Sequence, residues 1–182
     1  IGTLPLSEIF YAMSAKGFPM RELVLEMNHK LKLVLPPGLF CAAAVLEVDA
    51  AWRSLTYWSA AVPDVLVLGR DGNVRALQGG NLPLGIVESD KYRLTIADTA
   101  LAPGDRIYLH SDGVNEAHDA RGEMFGSERL IASLRAHAPG DAFVGMLADL
   151  EAWQGGAGQS DDLTLLEMCN VGEGTALRHP HA

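Results

Sequence analysis

The chain has 182 residues, 48% of them hydrophobic and 20% charged, a composition typical of one globular domain rather than of a disordered segment. Its formal net charge of −9 argues against nucleic acid and anionic membranes as partners, because both repel an acidic surface. No apolar run approaches the roughly 20 residues that span a bilayer. Because Cys41 and Cys169 lie in strand-like runs, we interpret them as free thiols of a reducing compartment and predict a soluble, cytoplasmic protein.

Two amphipathic helices are predicted at the start of the chain. The first carries Ile9 and Met13 on one side, and the second follows the break at Gly17-Phe18-Pro19 with an apolar stripe within residues 23–34. Since the sequence begins at Ile1 and reads at once as a helix, we expect the domain to be N-terminally incomplete in this chain.

A meander of about six strands is predicted next. The first five cover residues 40–48, 55–60, 64–68, 74–77 and 92–96, which are rich in strand-forming types. Asp71-Gly72 is interpreted as a hairpin turn and nothing more. The glycine-rich segment 79–86 is predicted to be an ordinary loop, with phosphate binding as a weaker alternative, because it lacks the spacing of the known phosphate-binding loops.

The sixth strand, residues 106–110, runs into Ser111-Asp112-Gly113, where we expect the glycine to allow a tight turn. A second acidic pair, Asp161-Asp162, precedes the last predicted strand at 163–168. Two carboxylates at strand ends could meet over one sheet and hold a hard divalent cation, which prefers oxygen ligands. The alternative is that Asp-Gly forms only a turn and the acidic pair only a solvated loop.

Two helices are predicted between these acidic motifs. Ser127 is expected to cap the first, which continues to about residue 138, and Asp141 to cap the second. We expect surface or loop-fixing roles for Glu116, His118 and Asp119. The order of elements indicates an α+β layered sandwich with mostly antiparallel sheets.

Five motifs, in this order, resemble the SpoIIE/RsbU branch of the PPM (protein phosphatase 2C-like) phosphatases. They are Leu82-Pro83-Leu84-Gly85, Pro103-Gly104-Asp105, Ser111-Asp112-Gly113-Val114-Asn115-Glu116-Ala117, Gly122-Glu123-Met124-Phe125-Gly126-Ser127-Glu128-Arg129-Leu130 and Ser160-Asp161-Asp162-Leu163-Thr164-Leu165-Leu166. The resemblance implies a PPM-type phosphatase domain over residues 1–169 and a C-terminal tail over 170–182. The opening ten residues resemble the variety found behind a response-regulator receiver domain.

The resemblance also implies the fold and the chemistry. The expected fold is a four-layer α-β-β-α sandwich with two Mn²⁺ or Mg²⁺ ions between its sheets. By motif, Asp112 and Asp161 match metal ligands and catalytic residues, while Asp162 matches a supporting or auxiliary metal ligand. The implied reaction is in-line attack of water on phosphoserine or phosphothreonine, without a covalent phosphoenzyme.

The sequence departs from the family pattern near its start. The Asp-Gly and Gly-His-Gly motifs of the family's early strands do not precede the first helix. We therefore expect the N-terminal strands to be missing from this chain, and Asp112 and Asp161 to be insufficient for a complete site. Our working assumption is that the parent protein supplies the remaining ligands.

Two functions follow from the resemblance. The first is a metal-dependent protein serine/threonine phosphatase in partner-switching signalling, with a phosphorylated STAS-domain anti-sigma-factor antagonist as substrate and a receiver domain upstream. The alternative is a catalytically weak or inactive adaptor that uses the phosphatase fold to dock a regulatory partner. Retention of Asp112 and Asp161 favours catalysis, since an adaptor has no chemical need for them.

Overall fold

A computed structural model describes residues 3–138, 140–156 and 162–170. The helices in these ranges are α1 (Thr3–Ser14), α2 (Met20–Val34), α3 (Asp112–Glu116), α4 (Gly126–Ala136) and α5 (Ala142–Gln154). The strands are β1 (Ala43–Val48), β2 (Ser54–Ala60), β3 (Val65–Leu68), β4 (Val74–Leu77), β5 (Ala97–Ala100), β6 (Arg106–His110) and β7 (Leu165–Cys169).

The strands form two antiparallel sheets. One has the order β1-β2-β5 and the other the order β4-β3-β6-β7. In the second sheet Leu66 lies opposite Tyr108, and Tyr108 lies opposite Glu167. Strand β3 is buried at each of its four positions, as expected for an internal strand that is covered on both faces.

Three apolar cores separate four layers of structure. The first lies between α1, α2 and the three-stranded sheet, the second between the two sheets, and the third between the four-stranded sheet and α4 and α5. Representative buried residues are Leu31 and Trp58 in the first core, Leu55 and Ile107 in the second, and Leu134 and Met146 in the third. The predicted α-β-β-α sandwich of antiparallel sheets is therefore confirmed.

The loop after β4 is packed on helix α2 through a buried asparagine. The Asn28 side chain is fully buried; its Nδ2 donates to the Val87 carbonyl and to Ser89 Oγ, both at 3.0 Å. Its Oδ1 accepts from the Gly85 amide at 2.9 Å. Because the Gly85 amide is bonded inside the protein, it is not offered to a phosphate, and the loop interpretation is favoured.

The predicted strand at 92–96 is wrong. The strand of this region is β5, Ala97–Ala100, whereas Tyr92 and Leu94 lie in the first core without regular structure. The Thr95 amide donates to Asn81 Oδ1 at 2.8 Å. The hydroxyl of Tyr92 donates to the Leu82 carbonyl. These contacts hold the segment against a loop instead of a neighbouring strand.

Two details of the helices also differ from prediction. Ser127 is not the cap of α4: the helix begins at Gly126 and the capping position is Phe125. Phe125 is buried and its amide donates to the Ala117 carbonyl at 2.7 Å, so packing of the preceding loop fixes the helix start. Asp141 does precede α5, but its side chain makes no capping hydrogen bond.

The first strand starts later than predicted, at Ala43, since Leu39 and Phe40 are exposed.

Cys41 and Cys169 are free thiols, and each is half-buried. Among the described residues, no helix combines the length and the apolar character that crossing a membrane requires.

Candidate active site

The candidate site lies at one edge of the four-stranded sheet, where β6 ends and β7 begins. His110, the last residue of β6, is opposite Leu165, the first residue of β7. Antiparallel pairing brings the segments outside these two residues together. Asp112 follows β6 as the first residue of α3, and Asp162 precedes β7; both are exposed.

Ser111 joins the two segments beyond the end of the strand ladder. Its backbone amide donates to the Thr164 carbonyl at 3.0 Å. Its hydroxyl donates to the Asp162 carbonyl and accepts from the Thr164 amide, each at 3.0 Å. A serine hydroxyl can donate and accept at once, so the Ser111 side chain satisfies both the Asp162 carbonyl and the Thr164 amide.

Gly113 is buried directly against the same segment. A Cβ built on Gly113 would lie 2.5 Å from the carbonyl oxygen of Asp162 and 3.2 Å from its carbonyl carbon. Gly113 has no positive φ, so the predicted tight turn is wrong: the chain turns by entering α3. The glycine is needed because any side chain would push residue 162 away.

The structure therefore brings the 111–113 segment into direct contact with Asp162. Asp112 Oδ1 accepts a hydrogen bond from the Gly113 amide at 3.1 Å. Asp161, the other predicted ligand, lies outside the described residues. The ligand roles of Asp112, Asp161 and Asp162 stay predictions.

His110 supplies the buried titratable group next to the site. Only 8% of the residue is exposed, and this burial lowers the pKa of His110. A hydrogen bond to the Ser111 carbonyl and the charge of Asp64 act in the opposite direction. The carbonyl can only accept, so Nδ1 is the donor, at 3.1 Å. The sequence offered no signal that separated this histidine from a surface residue.

A polar cluster fastens β7 to β6 on the helix-facing side of the sheet. Arg106 Nη1 lies 2.7 Å from Glu167 Oε1, and the Tyr108 hydroxyl donates to the same oxygen at 2.7 Å. Burial, together with the neighbouring Glu167 carboxylate, raises the pKa of Tyr108, so its hydroxyl stays a donor. These side-chain bonds add to the backbone ladder that fixes the start of β7.

The loop after α3 is held by its own carboxylate. Asp119 Oδ1 accepts from the amides of Arg121 and Glu123, at 2.9 and 2.8 Å, in agreement with the loop-fixing role expected for Asp119.

Arg129 lies over the ring of Trp153 at 4.1 Å, and its Nη2 pairs with Glu123 at 2.6 Å. The contact of Arg129 with Trp153 was not predicted, because nothing in the sequence spacing pairs these two residues.

The donor chemistry of this edge suits a hard divalent ion, since carboxylate oxygens are preferred ligands of Mg²⁺ and related cations. Asp112 and Asp162 are carboxylates at one sheet edge. Within residues 3–138, 140–156 and 162–170, however, no group of three or more His, Cys, Asp or Glu side chains is placed to hold a metal ion. The described residues fit such an ion in donor type but fall short in number.

A family model for Stage II sporulation protein E (SpoIIE) matches residues 1–170. The chain belongs to the SpoIIE family. The SiaA-PP2C domain of Pseudomonas aeruginosa is 27% identical to this SpoIIE-family chain, with a TM-score of 0.73, over 89% of this chain and 65% of that chain. The fold of the chain is thus that of PP2C phosphatase domains.

Two further comparisons bear on fold and extent. A structure of RsbX in complex with magnesium shares the fold, with a TM-score of 0.63 at 14% identity, over 91% of this chain and 71% of that chain. Protein IcfG of Synechocystis sp. (strain ATCC 27184 / PCC 6803 / Kazusa) is 26% identical over 123 residues, which are 66% of this chain and 19% of IcfG. The SpoIIE-family chain therefore spans about a fifth of IcfG and just under two thirds of the SiaA-PP2C chain.

Proposed function

We propose that this SpoIIE-family domain is a metal-dependent phosphatase that removes phosphate from serine or threonine of a regulatory protein. The observation that carries the proposal is the edge between β6 and β7, where the 111–113 segment touches Asp162. Membership of the SpoIIE family and likeness to the SiaA-PP2C domain support the reaction class.

In this proposal Asp112, Asp161 and Asp162 hold Mn²⁺ or Mg²⁺, together with further ligands that the described residues do not supply. When bound, such ions lower the pKa of water and neutralise charge on a transferring phosphoryl group. The hydroxyl of Ser111, the residue before Asp112, already makes two hydrogen bonds, to the Asp162 carbonyl and the Thr164 amide. A role for Ser111 as a nucleophile is therefore disfavoured, which supports attack by water without a phosphoenzyme.

The biological setting belongs to the same proposal. We propose a cytoplasmic phosphatase domain over residues 1–169, followed by a tail, that acts on a phosphorylated STAS-domain anti-sigma-factor antagonist. A receiver domain upstream in the same protein would supply the regulatory input. The net charge of −9 supports a protein partner rather than nucleic acid or an anionic membrane.

Replacing the site carboxylate tests the proposal. In the full-length protein, Asp112→Asn should remove most of the Mn²⁺-dependent hydrolysis of p-nitrophenyl phosphate, because a neutral amide is a weaker ligand for a hard cation. The matched control is Asp71→Asn in the other Asp-Gly pair, which lies in the β3–β4 hairpin. The Asp71 side chain accepts hydrogen bonds from Asn73, at the end of the sheet away from His110, so this variant should keep wild-type activity. Equal activity of the two variants would contradict the assignment.

The second candidate function is a catalytically weak or inactive adaptor that docks a regulatory partner through the phosphatase fold. It is favoured by one observation: the described residues contain no group of three metal-ligand side chains. Full-length wild-type protein that is inert at every Mn²⁺ concentration, but still binds its regulatory partner, would support the adaptor over the enzyme.

A further inference from the structure

We propose that the groove between the end of helix α2 and the loop after β4 is a docking surface for the protein on which this domain acts. It would take a segment of that protein in which apolar side chains alternate with carboxylates. The groove is a cavity of about 330 Å³, lined by residues 35–40 together with Lys32, Gly85 and Ile86. The proposal rests on the proposed function only in taking the docked protein to be the substrate.

The walls of the groove are apolar and open to solvent. Leu39, Phe40 and Ile86 are 56%, 55% and 40% exposed, and all three line the same cavity. Single apolar residues scattered over a surface need no explanation, whereas a contiguous group of them marks an interaction site. Aromatic side chains are also enriched among the residues that anchor protein interfaces. The groove therefore suits the apolar side chains of a partner.

The charge of the groove is opposite to that of the domain as a whole. The chain carries 23 acidic side chains against 14 lysines and arginines, yet residues 27–46 and 72–87, which contain the whole lining, include no Asp or Glu. Lys30 and Lys32 are exposed in the first of these segments. Lys32 Nζ donates to the Ile86 carbonyl at 2.9 Å. Because an ammonium group has three donors, Lys32 is held at the groove and can still meet a carboxylate.

This charge decides between the occupants. Complementary potential favours an acidic segment over a basic or uncharged one. A symmetric dimer would place the same surface on both subunits, so that the lysines of one copy would face those of the other. The groove is therefore assigned to an acidic and apolar partner rather than to a second copy of this chain.

The backbone around the groove is fixed before any partner arrives. Cys41 and Leu84 exchange both of their backbone hydrogen bonds, each at 2.9 Å, which ties the entry to β1 to the loop after β4. The Gly85 amide is bonded to the buried Asn28 side chain. Since these walls need not become ordered on binding, the entropic cost of association is lowered.

The groove lies at the same end of the sandwich as the candidate active site. Strand β1 begins opposite the end of β2, with Ala43 facing Ala60. Residues 61–64 lead from there to the start of β3, which lies beside the end of β6 because Leu66 and Tyr108 face each other in an antiparallel pair. A protein held in the groove would therefore stand at the end of the domain that carries Asp112.

The experiment measures the binding of short labelled peptides to the full-length protein by fluorescence anisotropy. A peptide that alternates glutamate with leucine should bind, and one that alternates lysine with leucine should not. Phe40→Ala should weaken binding of the first peptide about 10-fold or more, as loss of an aromatic anchor does. Lys32→Glu should also weaken it and reduce its dependence on salt. Should Lys32→Glu not fold, Lys30→Glu provides the same readout.

Two variants away from the groove are the matched controls. Val144→Ala shortens an apolar side chain that is 70% exposed on α5. Lys16→Glu reverses an exposed charge in the connection before α2, whereas the groove follows the end of that helix. Both variants should bind the glutamate–leucine peptide as the wild type does.

The outcomes separate this proposal from the proposed function. If the glutamate–leucine peptide fails to bind, or binds Phe40→Ala and Lys32→Glu as tightly as the controls, the docking surface is wrong, whatever the activity on p-nitrophenyl phosphate. Equal binding of the lysine–leucine peptide would overturn it too. A dimer that Phe40→Ala dissociates, without peptide binding, would assign the groove to a second copy instead. Groove-dependent binding by a wild-type protein that is inert at every Mn²⁺ concentration would support the surface and reject the phosphatase.

Discussion

At the scale of single residues, the imidazole of His110 is the group beside the site whose charge can change near neutral pH. Its burial at the end of β6 disfavours the charged ring and lowers its pKa from the ordinary value of 6.5. The single bond to the Ser111 carbonyl and the charge of Asp64 do not overcome this effect. The folded protein therefore holds the ring in its neutral form at pH 7.

A pH dependence of stability follows from this burial. Because the pKa of His110 is lower in the folded than in the unfolded state, the unfolded chain takes up the proton first. The contribution of His110 to stability is complete above the unfolded pKa and falls as the pH drops through the folded pKa. Melting temperatures measured between about pH 7.5 and about pH 5.5 should fall with pH more steeply in the wild type than in His110→Asn.

The control for this prediction is His29→Asn, because His29 is exposed on α2. This variant should show the wild-type slope. A slope in His110→Asn that equals the wild-type slope would mean that other groups carry the pH dependence. Asparagine is chosen at 110 because its amide can still donate to the Ser111 carbonyl without titrating.

Residue by residue, the sequence predicts the position of Asp112 and not the means by which it is held. An acidic residue after an apolar strand is visible in the sequence, and so is an acidic pair before the last strand. The fit of Gly113 against the Asp162 carbonyl depends on a three-dimensional approach between segments far apart in the chain. No local pattern encodes that approach, and therefore the turn interpretation of Gly113 failed.

At the scale of elements, helix α2 shows what periodicity can and cannot reveal. The apolar stripe that includes Leu23 and Leu31 predicts the buried face. Asn28 lies on the same face, fully buried, and its partners are 57 to 61 residues away in the loop after β4. The helical period predicts which face of α2 is buried. The hydrogen bonds from Asn28 that hold the loop after β4 can be recognised only in the folded structure. Other contacts of this loop, from Tyr92 to Leu82 and from Thr95 to Asn81, explain why 92–96 is not a strand.

Removing the Asn28 amide should therefore destabilise the protein. Asn28→Ala leaves the Gly85 amide and the Val87 carbonyl without their bonds, and unsatisfied buried groups of this kind cost together about 2–4 kcal/mol. Urea denaturation gives the free energy of unfolding. The neighbouring exposed position supplies the control: His29→Ala should stay within about 0.5 kcal/mol of the wild type. Equal stability of the two variants would show that the loop does not depend on Asn28.

At the scale of the whole molecule, the core between the sheets joins the three-stranded sheet to the four-stranded sheet. The shift from helical to strand periodicity along the sequence predicts an α+β layered sandwich, whereas the order of its four layers was implied by the family resemblance. Which strands pair within each sheet was not predictable, because pairing such as β3 with β6 skips intervening strands. Leu55 from one sheet and Ile107 from the other are fully buried in that shared core.

Truncation of a side chain in this shared core should weaken the entire domain in one step. Leu55→Ala should cost about 2–5 kcal/mol, the range for removing a buried leucine side chain. Urea unfolding followed by far-UV circular dichroism and by tryptophan fluorescence should give one coincident transition, since neither sheet has another partner for its inner face. Leu33→Ala, at a position that is 68% exposed, should stay within about 0.5 kcal/mol of the wild type. Two separate transitions would show that each sheet and its helices unfold independently.

The return of β7 to β6 has a consequence for synthesis on the ribosome. Ser111 and the carbonyl it holds at Asp162 are separated by 51 residues, so a nascent chain contains Asp112 well before the segment that completes its surroundings has been translated. Contacts of such long range form late, after local hairpins and helices. Under the proposed function, a translation product that stops short of residue 162 would lack β7 and would have no phosphatase activity.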